Sequence, residues 1–463
     1  MKKGKMNQAL VYELLAFLML LPLLLAACGT LISTPAPPTT EVVPETEHPT
    51  ETKEAVPEEP IELVIWAEYF TQETMSTDPV GAGRYGLYLK EQFEKEHPGV
   101  TIKIEYHGWD EALRQELFNA LLAGTAPDIV VGENYFQQYA ELGALVPLDD
   151  VIADVKDDLI PGTYKAAQYK GQIYGISAFT GVFGFERNCK VVEAAGLDCD
   201  HPPETWDDLL EQARMITEQG NGQYYGYTLQ GPVETSVGSV FRIAVYLAQA
   251  GASMCQDDCT YPYFNNPRAV PVMEFIRELN RYTLPGLTFN PDEGEVHKQL
   301  PQGFSAYQIA GSWHPKQARE VGCEDCRYSG VPIPENGQPA SLVVGNAIYA
   351  VLRHSKHPDI AAEWVKFLAR KDVQDLVFPT LGRLPSTRSA LTKLRPNVDP
   401  PTQAFIDQLL NNPKLEILPQ WHKDPQKLWR IYNDMLTEIL TTERPVHEIM
   451  DEAQAAAEEV MQQ

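Results

Sequence analysis

Leu63-Val64-Ile65-Trp66, Val100-Thr101-Ile102-Lys103-Ile104-Glu105-Tyr106 and Asp128-Ile129-Val130-Val131 are the stretches on which the fold of this chain turns. The first and third are short, continuous apolar runs, as strands covered on both faces of a parallel sheet require. The second alternates apolar and polar residues strictly, so it is a strand with one wetter face. Between the first two, Tyr85, Tyr88, Leu89 and Phe93 recur at helical spacing, and the pattern stops at His97-Pro98-Gly99. Between the second and third, a helix is expected to open with Asp110 as N-cap, to bury Leu113, Leu117 and Leu121, and to close at Gly124. Strand, helix, strand, helix, strand is the order of an open α/β sheet with right-handed crossovers.

Toward the C-terminus the same style continues. Thr205-Trp206-Asp207-Asp208 resembles a capping box, and Trp206, Leu209, Leu210 and Ala213 mark the buried face of its helix. Pro358 opens a helix that carries Ile360, Trp364, Phe367 and Leu368 inward. A last helix from Pro445 aligns Val446, Ile449, Met450, Ala453, Ala457 and Val460 on one face. A chain of 463 residues exceeds one compact core, so two lobes are expected. No fixed-period repeat is present, which excludes solenoids and propellers.

Toward the N-terminus the chemistry changes twice. Lys2, Lys3 and Lys5 precede an apolar run from Ala9 to Ala27, which ends in Leu25-Ala26-Ala27-Cys28-Gly29. Basic start, short apolar run and small residues make an export signal over 1–28. With Cys directly after Leu-Ala-Ala it resembles the bacterial lipoprotein signal, in which that Cys is lipidated; an uncleaved membrane anchor is the alternative. Residues 29–60 are mostly Pro, Thr and Glu and bury too little to offset their ordering entropy, so they read as a disordered tether.

Charge and cysteine content fit an exported protein. The formal net charge of −27 repels nucleic acid and anionic lipid, and no basic groove is legible. Besides Cys28, the cysteines fall in three close pairs: Cys189 with Cys199, Cys255 with Cys259, and Cys323 with Cys326. In an exported chain these read as local disulfides. Cys323-Glu324-Asp325-Cys326 also has the spacing of a redox site or half a zinc site. No helix continues from it and no second C-x-x-C completes a zinc site, so no metal is expected.

One apparent catalytic signature is a decoy. Gly81-Ala82-Gly83-Arg84-Tyr85-Gly86 satisfies G-x-G-x-x-G, and Glu105 follows about 20 residues on. A dinucleotide site needs the first glycine directly after the first strand, which here ends near Trp66. The segment therefore reads as a flexible loop, and no cofactor is expected. His447-Glu448 does not continue to H-E-x-x-H, and neither a nucleophile elbow nor a phosphate loop occurs. Asp/Glu pairs suited to a glycosidase are inevitable among 64 acidic residues, and none stands out. No catalytic residue is assigned.

A series of short phrases carries a resemblance. They are Ala126-Pro127-Asp128-Ile129-Val130 with Leu142-Gly143-Ala144-Leu145-Val146-Pro147-Leu148-Asp149-Asp150, then Tyr174-Gly175-Ile176-Ser177, then Pro203-Glu204-Thr205-Trp206-Asp207-Asp208-Leu209. Gly311-Ser312-Trp313, Ser355-Lys356-His357-Pro358 running to Phe367-Leu368, and Gly382-Arg383-Leu384-Pro385-Ser386 follow. In this order they are similar to the family 1 extracellular solute-binding proteins, the maltose-binding-protein class, over about 61–463. Phe185-Glu186-Arg187-Asn188 departs from that family's pattern, which puts contacts along the far wall of the cleft in doubt.

The resemblance implies a two-lobe periplasmic-binding-protein-like α/β fold of type II, each lobe built from discontinuous segments. Lobe 1 would be 61–178 and 341–390, lobe 2 would be 179–340 and 391–463, with the ligand between them. It further implies a monomeric binding component of an ABC importer with a permease as partner, a small-molecule ligand, and membrane attachment through Cys28. The expected ligand is a carbohydrate, because flat aromatic faces and polar side chains gather at the strand ends. Trp313 matches the family's stacking position. Trp66 and Glu68 end the first strand, Glu133 and Asn134 the third; Phe179 sits at the first crossing, Asn346 at the return, and Arg383 and Trp421 in late segments. Trp109, Trp206 and Trp364 read as core. A polyol or polyamine binder, a surface glycosidase and a carbohydrate-adhesive lipoprotein are the competing expectations.

Overall fold

In the computed structural model the described residues are 60–67, 70–78, 80–108, 110–132, 135–233, 238–256, 259–411, 415–418, 421 and 423–462. The export signal with Cys28 and the tether up to residue 59 lie outside them, as do Glu68, Trp109, Glu133 and Asn134.

Strand Ile61–Trp66 pairs in parallel with Val100–Glu105 along its whole length and with Ile129 and Val130 on its other side. Val100–Glu105 is the edge, and its side chains alternate between buried and exposed as a half-wet strand must. The sheet continues antiparallel from Ile129–Gly132 to Ser341–Val351 and from there to Gly175–Asn188. Ser305–Gly311 then pairs antiparallel to the far half of Gly175–Asn188, and Tyr225–Thr228 pairs in parallel with Ser305–Gly311.

The strand Gly175–Asn188 is what makes two lobes of one sheet. All 14 of its residues are buried. Its first half, Gly175 to Val182, pairs with Ser341–Val351, and its second half, Phe183 to Arg187, pairs with Ser305–Gly311. One core packs Leu63, Ile65, Tyr85, Phe93, Phe179 and Trp364 on one face of the first half-sheet, and Trp66, Leu113, Leu117 and Tyr139 cover the other face. The second core gathers Phe183, Phe185, Trp206, Phe275, Tyr307 and the last helix. A small cluster of Ile160, Val182, Val343, Leu384, Phe405 and Ile406 seals the crossing.

Most expected elements stand where the periodicity put them. The capping box is complete: the Asp208 amide donates to Thr205 Oγ1, the Thr205 amide donates to the Asp208 carboxylate, and helix Trp206–Gly220 follows. The last helix, Val446–Gln462, buries its apolar stripe. Helix Asp110–Ala123 starts at Asp110 itself and gives way to Gly124 at φ +71°. The three disulfides pair Cys189 with Cys199, Cys255 with Cys259, and Cys323 with Cys326.

One expectation is corrected. The glycines of Gly81–Gly86 do not form a flexible loop; helix Ala82–Glu96 begins inside the motif. A Cβ on Gly83 would fall 2.1 Å from the Thr74 carbonyl oxygen, and one on Gly86 would fall 2.6 Å from Phe70 Cβ. The glycines let this helix lie directly on Gln72–Thr77 and on Phe70. The motif is a packing device.

Candidate functional site

Where the shared strand passes from one core to the other, residues two apart share a face, and Phe179, Gly181 and Phe183 form one such row. Gly181 is required there. A Cβ on it would come within 2.9 Å of the Trp313 ring, and a Cβ on Gly311 within 2.4 Å, so the indole lies against the backbone of both strands. The Ser312 amide donates to the Val182 carbonyl at 3.0 Å and fixes the chain just before the tryptophan. The Phe183 ring meets Trp313 edge-on at 5.6 Å.

Arg383 arrives from the other core. Helix Lys371–Leu381 ends at Gly382 with φ +64°, a left-handed position that glycine takes without strain. Leu384 and Pro385 then pair with Thr180 and Phe179. That pairing sets the Arg383 guanidinium 4.6 Å from the Trp313 ring centroid and 5.9 Å from that of Phe179. Its Nη1 is buried and has no hydrogen-bond partner among the described residues. Asn346 stands opposite Phe179 in the strand register, so its backbone belongs to the same rung.

Behind Trp313 lies a polar network inside the second core. Glu186, fully buried, accepts from Gln308 Nε2 at 2.6 Å and from the Tyr328 hydroxyl at 2.5 Å, and His314 Nδ1 lies 3.2 Å away. Burial first, then the adjacent Glu186 charge, raises the Tyr328 phenol far above its ordinary range. His297 Nδ1 lies 3.1 Å from Gln308 Oε1, and its Nε2 lies 2.9 Å from the Gln230 carboxamide. Burial, reinforced by Arg242 and His314, holds His297 well below the usual imidazole range, so the ring is neutral. Arg242, itself buried, pairs with Glu293 at 3.0 Å and lies over the Phe183 ring at 5.6 Å.

The sequence candidates therefore divide. Trp313 and Arg383 come together over Phe179, which is itself 1% exposed and part of the first core, with the Asn346 backbone beside them. Trp66 is 6% exposed, stacks on His107 at 3.8 Å and donates from Nε1 to Glu105, whose carboxyl is lowered mainly by Lys103. Trp421 is 2% exposed and packs edge-on against Phe264 and Trp429 in the second core. Glu68, Glu133 and Asn134 fall outside the described residues. Trp206 and Trp364 are core, as expected.

Sequence reasoning missed Gly181, Gly311, Phe183 and most of the network behind them. The alternation of aromatic and glycine in Phe179-Thr180-Gly181-Val182-Phe183 was a usable signal, because glycine inside a strand marks a close approach. The departure at Phe185-Glu186-Arg187-Asn188 was visible. Its content, a buried carboxylate with three partners, an Arg187 Nε donating to the Cys199 carbonyl and an Asn188 that caps helix Cys189–Ala194, was not.

Comparison with known proteins gives the fold a context. The family profile for bacterial extracellular solute-binding proteins matches residues 78–375. A binding protein of Brucella abortus, whose name leaves its ligand open, is 26% identical over 348 residues, 74% of this chain and 82% of its own length. The diacetylchitobiose binding protein DasA of Streptomyces coelicolor is 20% identical over 331 residues, 70% of this chain and 74% of that protein. Among solved structures, the cyclic alpha-maltosyl-1,6-maltose binding protein from Arthrobacter globiformis superposes with a TM-score of 0.72 at 19% identity, covering 87% of this chain and 99% of that one. The likeness shows a shared two-lobe α/β fold of the type II class.

Proposed function

The chain belongs to the bacterial extracellular solute-binding protein family, and from that premise we propose that it is the extracytoplasmic binding component of an ABC importer, which captures a mono- or oligosaccharide between its lobes and delivers it to a permease. The observation that carries this reading is the meeting of Trp313 from one core and Arg383 from the other over a single shared strand. A ligand held there touches both lobes at once, and contact from both sides is what favours a closed form over an open one.

The sugar class is supported by relatives that bind carbohydrate by name. Trp313, Phe179 and Arg383 are the proposed centre of the ligand site. Trp66, Glu68, Glu133, Asn134, Asn346 and Trp421 are proposed for its margins. Lobe 1 is assigned 61–178 and 341–390, and lobe 2 takes 179–340 and 391–463. Residues 29–60 hold this monomeric body away from a membrane to which Cys28 is anchored by lipid. The relatives are binding proteins, and we assign this chain no catalytic step, cofactor or metal.

Thermal unfolding of the full chain against sugars, polyols and amines tests the reading. A ligand at a hundred times its dissociation constant adds about 2.7 kcal/mol of stability. Silence across the panel, with turnover of chromogenic glycosides, would instead favour the glycosidase.

A further inference from the structure

We infer that the sugar taken by this cleft carries one carboxylate, as a uronic acid or an oligosaccharide ending in one does, and that Arg383 with Lys316 recognises it. The inference rests on the carbohydrate reading above and narrows it. Its starting point is that Trp313 does not present a bare ring. The indole lies against the backbone at Gly181 and Gly311, and the Arg383 guanidinium stands 4.6 Å from its centroid. A neutral sugar that stacks its C–H face on tryptophan needs an uncovered ring. What this site offers beside the ring is a fork of N–H donors.

One nitrogen of that fork is unpaired among the described residues. Arg383 Nη1 is buried without a hydrogen-bond partner, and among the described residues Arg383 has no carboxylate beside it. Arg187 likewise has a buried, unpartnered Nη1, but it lies within the second core, whereas Arg383 stands where the two cores meet. The Trp313 and Phe179 rings compensate the desolvation of Arg383 only in part, and an anion would compensate the rest best. Lys316, three residues on from Trp313 in helix His314–Glu320, lays its stem on Gly382, with Nζ 3.6 Å from where a Cβ on that glycine would stand. It is exposed and brings a second, hydrated cation from the other core to the residue next to Arg383.

The charge of the ligand follows from these groups. One planar guanidinium matches one planar carboxylate through two parallel hydrogen bonds. A dianion such as a phosphate ester asks for more clustered donors, and the net charge of −27 opposes it. A single carboxylate on a sugar ring satisfies the fork while its hydroxyls remain for the other polar groups of the cleft.

Titration calorimetry on the full chain with matched pairs tests this: glucose with glucuronate, galactose with galacturonate, and the corresponding di- and trisaccharides. The acidic member of at least one pair is expected to bind about tenfold or more tightly than its neutral partner. Arg383→Gln should erase that preference, Arg383→Lys should restore only part of it, and Lys316→Gln should reduce it. Added salt should weaken binding of the acid and leave the neutral sugar unaffected. If Arg383→Gln does not fold, the salt dependence and the Lys316→Gln variant still decide. A neutral sugar bound as tightly as its acid, or a preference that survives in folded Arg383→Gln, overturns the inference and leaves the sugar binder standing. No binding by either member of any pair overturns this inference, and the carbohydrate reading falls with it only if the wider thermal panel is silent as well.

Discussion

His297 shows how single residues hold the second lobe. A neutral imidazole carries one N–H. Gln308 donates its amide to Glu186, so its Oε1 accepts the proton of His297 Nδ1. His297 Nε2 must then accept, which calls for the amide nitrogen of Gln230 at that 2.9 Å contact and gives that nitrogen, orphaned in the opposite orientation, its partner. Because the folded ring stays neutral while an unfolded one protonates near its ordinary pKa of about 6.5, the unfolded chain binds more protons below that pH. Stability is therefore fully present above about pH 6.5 and falls as the pH drops below it, by at most about 1.4 kcal/mol per pH unit from this residue. His297→Gln should flatten that part of the curve in urea titrations between about pH 6.5 and 5, where few carboxylates titrate; an unchanged slope would mean that the imidazole is charged in the fold. Glu186→Leu should cost about 3 kcal/mol, since it removes the buried acceptor that the Gln308 amide and the Tyr328 hydroxyl share beside His314 Nδ1. Trp313 and Arg383 were legible because each sits in a short phrase with a glycine before it. The partners of Glu186 were not, because Gln308 and Tyr328 lie 122 and 142 residues away and no local pattern joins them.

Elements were legible wherever one face decides them. The helices Trp206–Gly220 and Val446–Gln462 are amphipathic and capped or striped, so periodicity alone places them. The helix Ala82–Glu96 was read correctly from Tyr85 on, but its first turn was lost to the glycine motif, because glycine signals loops and close packing alike. Gly83→Ala separates the two: its Cβ would meet backbone oxygens of Thr74 and Asp78 at 2.1 and 2.3 Å, which cannot move aside as a side-chain tip can. A loss of about 1–3 kcal/mol is expected, whereas Leu122→Ala, at an exposed helical position, should stay within about 0.5 kcal/mol. Equal midpoints in guanidinium would show that the glycines are free. The Cys189–Cys199 bridge ties helix Cys189–Ala194 back to the loop after it. Replacing both cysteines with serine should lower stability by about 2–3 kcal/mol, the value for closing a loop of this length.

At the scale of the whole molecule, the strand Gly175–Asn188 is what periodicity could not interpret: it is buried throughout, and full burial erases the alternation that would tell one lobe from the next. Order of phrases, rather than pattern within them, pointed to two lobes. The architecture has a mechanical consequence. Each half of that strand is bonded to a different partner strand, so each lobe is a rigid half-sheet, and the region between Thr180 and Phe183, where pairing changes hands from Ser341–Val351 to Ser305–Gly311, is where the two can rotate. Trp313 and Arg383 meet over that same region, and a ligand bound to both, as proposed above, would resist reopening. Small-angle scattering of the full chain should therefore show the radius of gyration falling on saturation with whichever sugar stabilises the protein, and falling less in Gly181→Ala, where the added methyl displaces the Trp313 ring. Unchanged scattering in a demonstrably saturated sample would mean that the ligand sits in a rigid groove, and capture by closure would have to be abandoned.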